Sequence, residues 1–170
     1  MLCGSLFAAD VEEFAPKNGM FTITIPAGEH TAQRKVLTIE GTKVPVEGKE
    51  SKAADGTVYS GDSIGIPATV MGKLPADKRF DVLGDAIAKA MGGSVNEKHD
   101  ITQDSVPGKE YIIQAKPDTA RVQLYTIGGW VEYAVVRGKK ETVTGAAADA
   151  FFATFKLTDK AKATFAKVQR

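Results

Sequence analysis

Gly61-Asp62-Ser63-Ile64-Gly65 is the first place where residue type and spacing suggest a reaction. The block fits G-x-S-x-G. In that pattern a serine on a sharp strand-to-helix turn attacks a carbonyl, a histidine takes its proton and backbone amides hold the oxyanion. The surroundings oppose this chemistry. Pro67 follows Gly65 by two residues and would break a helix begun at the serine. The only histidine downstream is His99. Glu97, His99 and Asp100 are metal-ligating types, and on a strand Glu97 and His99 share a face. Two ligands do not complete a site, and His30 is the only other histidine, so exposed strand polarity is expected and no metal. Asp77, Asp81 and Asp85 read as a solvated helix face. Gly92-Gly93-Ser94 closes a helix and is no phosphate cradle. Cys3, the one cysteine, excludes an internal disulfide and a thiolate metal site. No catalytic residue and no cofactor is expected.

The elements that position these residues must fit in 170 residues, the length of one ordinary domain. With 43% hydrophobic and 25% charged residues the chain is globular. The 22 basic and 21 acidic residues nearly cancel, so no global charge draws it to nucleic acid or anionic lipid. No run approaches the ~20 apolar residues of a membrane-spanning helix, so the mature chain is expected to be soluble, with no integral membrane segment. Met1 to Ala9 is apolar, small and uncharged, and stops at Asp10-Val11-Glu12-Glu13. It reads as the end of a secretory signal, with cleavage after Ala8 or Ala9, and predicts an exported (periplasmic or extracellular) protein.

Met20 to Ile25 alternates as a strand closed by Pro26-Ala27-Gly28, and Lys35 to Glu40 is a second short strand. Residues 41 to 57 read as a hairpin-like excursion with a polar loop, and Thr57 to Ile66 as another strand. Pro75 to Gly92 is the clearest helix, with Phe80, Leu83, Ile87 and Met91 on one stripe. Strands follow around Ile101, at Glu110 to Lys116, Arg121 to Ile127 and Trp130 to Arg137. A second helix spans about Thr144 to Phe155, and Thr158 to Arg170 is a basic C-terminal tail, either a short frayed helix or simply solvated. Runs of strands broken by helices argue for an α+β domain with an antiparallel sheet.

The turns permit a register. With Pro117-Asp118 as a two-residue turn, Gln114 faces Arg121 and Glu110 faces Tyr125; with Gly128-Gly129 as the next, Tyr125 faces Glu132 and Arg121 faces Val136. One face then holds Tyr111, Ile113, Val122, Leu124, Val131, Tyr133 and Val135, a core face for a helix to cover. The other is mixed. Glu110–Tyr125–Glu132 and Gln114–Arg121 read as cross-strand polar pairs there. As a site, the same face offers Arg121, Tyr125, Trp130, Glu132 and Glu110 as partner-binding candidates.

Two resemblances follow. Gly61-Asp62-Ser63 looks like the block of GDSL-type hydrolases, although that block lies near the N-terminus and its partner motif D-x-x-H has Asn96 in place of Asp before His99. More extensively, Phe21-Thr22-Ile23-Thr24-Ile25-Pro26, the helix from Asp77 to Gly92, Pro107-Gly108-Lys109-Glu110, Arg121 with Tyr125, and Ala150 to Leu157 (AFFATFKL) resemble PsbP-like domains, including small exported bacterial members of unassigned role. This resemblance covers about residues 18 to 157 and implies one PsbP-like domain, an α/β/α sandwich with an antiparallel sheet between helical layers. Glu110 and Arg121 fit it as framework residues. Photosynthetic members of the family are extrinsic subunits that dock on a membrane complex and assist its ion cofactors; no cofactor-retaining motif matches here.

The expectation is a non-enzymatic exported protein that binds or supports a protein partner of the envelope, using the mixed face or residues 41 to 57. One alternative is a small serine hydrolase using Ser63 and His99. Another is a small-ligand binder in a cleft between the sheet and the first helix, lined by Phe80 and Trp130.

Overall fold

The computed structural model describes residues 10–169. Cys3 and the export reading of residues 1–9 lie outside them. A main sheet of eight antiparallel strands runs β3 (Glu29–Gln33), β5 (Thr42–Lys52), β6 (Val58–Gly65), β10 (Trp130–Gly138), β9 (Asp118–Ile127), β8 (Val106–Ala115), β7 (Ser94–Gln103), with β4 (Val36–Ile39) also on β5. A small sheet, β1 (Glu12–Phe14), β2 (Phe21–Ile25) and β11 (Lys156–Leu157), lies apart. Helices α1 (Ala68–Met71) and α2 (Arg79–Ala90) cover one face of the main sheet, and α3 (Lys140–Val143), α4 (Ala146–Ala153) and α5 (Asp159–Val168) join the small sheet on the other. This is the α+β antiparallel sandwich that the order of elements predicts.

The seven residues assigned to the core face are all buried there, from Tyr111 to Val135, with α2 against them. Tyr111 fixes the spacing. Its ring lies flat on Gly84 of α2, where an added Cβ would meet the ring at 2.5 Å, and its hydroxyl donates to the Phe80 carbonyl at 2.6 Å. The second face closes with aromatics. Phe155 stacks between Phe21, at 4.6 Å, and Tyr125, at 5.4 Å, and so ties the small sheet to the main one.

Three expectations change. The β8–β9 turn is Lys116-Pro117, with a cis peptide bond, and Ala115 faces Asp118. The register therefore moves by two residues: Glu110 faces Gln123 and Gln114 faces Thr119. A shift of two preserves the faces, so the core assignment survives. The β9–β10 register is as expected, with Tyr125 opposite Glu132 and Arg121 opposite Val136. Residues 41 to 57 are mostly strand. Val44 and Val46 of β5 are buried while Lys43 and Pro45 are exposed, the alternation of a half-covered strand, and only residues 53 to 57 form the polar loop. The C-terminal tail carries α5, capped by Thr158, whose hydroxyl accepts from the Ala161 amide at 3.3 Å; Ala161 is fully buried, so the packed unit runs past residue 157.

Gly84→Ala tests the α2 spacing. Alanine ordinarily stabilises a helix interior by about 1 kcal/mol over glycine. Here the collision with Tyr111 reverses the sign, and the variant is expected to lose about 1–3 kcal/mol in urea denaturation. In a Tyr111→Ala background the same substitution should become neutral or stabilising.

Candidate functional site

The mixed face is largely covered by the chain itself. Arg121 Nε donates to Glu110 Oε2 at 2.9 Å and its Nη1 to Asp149 of α4 at 2.6 Å, while Gln123 donates to the same Glu110 oxygen at 2.7 Å. The guanidinium carbon lies 4.9 Å from the Phe152 ring centre. Arg121 and Glu110 thus anchor α4 to the sheet. Tyr125 is buried under Phe155, and burial pushes its hydroxyl up to about 12. Glu132 is fully buried; Asn18 donates to its Oε1 at 2.5 Å and to the Ser63 hydroxyl at 2.9 Å. Of the five partner-binding candidates, only Trp130, 37% exposed, is at the surface as an aromatic.

The hydrolase reading does not fit this geometry. Ser63 sits within β6, not on a strand-to-helix turn, and is buried against Asn18. His99 lies on β7, four strand spacings from β6, or roughly 19 Å. His30 is on β3, at the opposite edge of the sheet from β7, where it contacts Glu12 at 3.0 Å and the Pro26 carbonyl at 2.8 Å. The two histidines therefore share neither a metal nor a proton relay. Glu97 and His99 do share a face, 3.6 Å apart, and both are exposed.

At the turn end of this face, cross-strand pairing aligns four residues. Val36 faces Pro45 on β5, the β5–β6 register carries Pro45 to Gly65, and Gly65 faces Trp130. The indole rests on Gly65, where a Cβ would lie 2.9 Å from the ring. Val36 and Trp130 are exposed, and exposed Val168 of α5 lies beside Gly128 of the adjoining turn. A hollow of about 320 Å³ beside the indole is bounded by Pro45, Glu47 and Ser63.

The other face holds a cleft of about 440 Å³ between the last turns of α2 and strands β5, β6 and β10. Phe80 and Trp130 do not line it. Phe80 packs at the start of α2, whereas Trp130 is across the sheet, because even-numbered β10 residues point away from α2. Ile87 and Met91 wall the cleft instead, with Asp62, Ser60 and Tyr133 at its base. The aspartate was legible only as the second residue of the G-D-S block; nothing in the sequence marks it as buried. Asp62 is 2% exposed, Ser60 donates to its Oδ2 at 2.6 Å, and its Oδ1 has no partner among the described residues. Burial pushes its carboxyl up to about 7. Burial does the same to Glu132 one rung away on the opposite face, against hydrogen bonds from Ser63 and Asn18.

Layers, strand order and register together define a PsbP-like fold. Among solved structures, the chain is similar to the solution structure of cyanobacterial PsbP (CyanoP) from Synechocystis sp. PCC 6803, with a TM-score of 0.58 and 12% sequence identity, covering 93% of this chain and 98% of that one. No family model matches the sequence, and no curated protein matches it.

The two dry carboxyls set a pH dependence. Unfolded, they lose their protons near 3.8 and 4.5; folded, only near 7. The folded state holds the extra protons between those limits, so their stabilising contribution is complete at low pH and is lost as pH rises through about 7. Each accounts for roughly 3–4 kcal/mol. Melting temperature is expected to fall between about pH 4 and pH 7, and Asp62→Asn and Glu132→Gln should each flatten that fall. A slope unchanged in both variants would contradict the assignment.

Proposed function

We propose that this chain is an exported, non-catalytic, single-domain protein that supports a partner protein at the Trp130 end of its main sheet. The observation that carries the reading is the apolar row Val36–Pro45–Gly65–Trp130, continued by Val168. A tryptophan held flat on a glycine loses little conformational freedom when a partner covers it, and tryptophan is enriched where interfaces concentrate their energy. The PsbP-like fold is consistent with this role, and the uncharged apolar run Met1 to Ala9 supports export. Glu110 and Arg121 serve it indirectly, by holding α4 in place beneath the same face.

A photo-cross-linking amino acid at position 130 tests the surface in cells, with Lys89 on the opposite face as the control. A single protein adduct at 130, absent at 89, is expected. Trp130→Ala should abolish co-purification of that protein while costing about 1 kcal/mol or less of stability. Adducts at 89 but none at 130 would sink the surface assignment. Cell fractionation with N-terminal sequencing of the recovered chain tests export, with a new terminus after Ala8 or Ala9 expected.

A further inference from the structure

We propose that the cleft between α2 and strands β5, β6 and β10 binds a small organic amine, its ammonium group on Asp62 and its alkyl or aryl body along Ile87, Met91, Leu37 and Val135. The site is on the opposite face from the Trp130 row and stands independently of it.

Asp62 is a poor structural residue and a good receptor. A buried carboxyl with one oxygen unpartnered costs stability that an apolar side chain of similar size would not. The neighbouring strand nevertheless leaves space for it. Gly48 faces Asp62 across the β5–β6 ladder, and a Cβ at Gly48 would lie 2.0 Å from Oδ1. The carboxyl therefore sits over bare backbone. Its one bond, from Ser60, orients it; Oδ1, packed over Gly48 and closed to solvent, is left without a partner among the described residues, and a ligand in the adjoining hollow reaches it as the carboxyl turns outward.

Volume and lining select the ligand. About 440 Å³ lies within the range of pockets that hold small organic molecules, and apolar Leu37, Ile87, Met91 and Val135 share the lining with charged Lys35, Glu50, Lys52 and Arg137. The base can only accept hydrogen bonds when ionised, so a cationic donor satisfies it best. An anionic head would meet a like charge in a dry site. Around the cleft Lys35 is matched by Glu50 at 3.5 Å and Arg137 by Asp118 at 3.1 Å, which leaves exposed Lys52 as the one lining cation with no ion-pair partner among the described residues. Lys35 and Glu50 are the charged groups that act on Asp62; Tyr133 faces it from β10, and α2 presents only apolar side chains to the cleft.

The test titrates the full chain with n-hexylamine, n-hexanol and hexanoate, following side-chain methyl signals by NMR and heat by calorimetry in two buffers of different ionisation enthalpy. Hexylamine is expected to shift the Ile87, Met91 and Val135 methyls and, near pH 7, to release protons as Asp62 ionises against it, so that the measured heat depends on the buffer. Asp62→Asn should weaken binding at least about tenfold and remove the buffer dependence. Ala90→Phe, at an exposed helix position on the cleft, should obstruct hexylamine with the fold and Asp62 intact. The proposal is overturned if hexylamine shifts none of these methyls, if hexanol or hexanoate binds as tightly, or if Asp62→Asn binds hexylamine as well as the parent.

Discussion

Both faces of the main sheet are buried, and by different kinds of cover. Helix α2 seals one side against Tyr111 and Leu124; the small sheet with α4 seals the other through the Phe21–Phe155–Tyr125 stack. Because side chains alternate, every central strand must supply two sets of residues fit for a dry environment. Polar groups on these strands therefore cannot be idle. Arg121 is matched to Glu110 and Asp149, and Glu132 is matched in part by Asn18. Asp62 and Glu132 each keep one carboxylate oxygen without a partner among the described residues, and Asp62 lines a hollow.

The same double cover explains what was legible in the sequence. Period-two alternation in β9 and β10 identified the inner face correctly, since Val122, Leu124 and Val131 are wholly given to burial. The opposite face was ambiguous because its cover comes from chain far away in sequence: Asn18, Asp149 and Phe155 decide what Glu132, Arg121 and Tyr125 do. β5 was hidden for a related reason. Its lysines and glutamates are exposed or only half-buried, and Gly48 looks like a loop residue until the carboxyl lying over it is seen. The β8–β9 turn was placed one residue late, and the register two, because Pro117 occupies the second turn position instead of the first. Helix α5 was left open between a short frayed helix and a solvated tail because its buried surface is small, essentially Ala161 with part of Phe165.

The two features with most bearing on function lie on opposite sides of one layer of backbone. The Trp130 row is flat, exposed and continuous across four strands, a shape suited to a broad partner. The Asp62 cleft is concave and narrow, suited to something small. Neighbouring residues of one strand separate them: Asp62 points towards α2 and Ser63 towards Asn18. What resembled a hydrolase motif is thus two residues of different environment, brought adjacent only by the strand's zigzag.

Strand β7 ends the sheet with Asn96-Glu97-Lys98-His99-Asp100, exposed on both faces. An outermost ribbon studded with mixed charge resists annealing to a foreign strand, since any newcomer would have to strip water from those groups. At the far margin, β3 is only five residues long. Neither border invites the cross-β growth by which broad sheets ordinarily aggregate. A chain with so much strand can therefore stay dispersed at high concentration even where its flat apolar row is left uncovered.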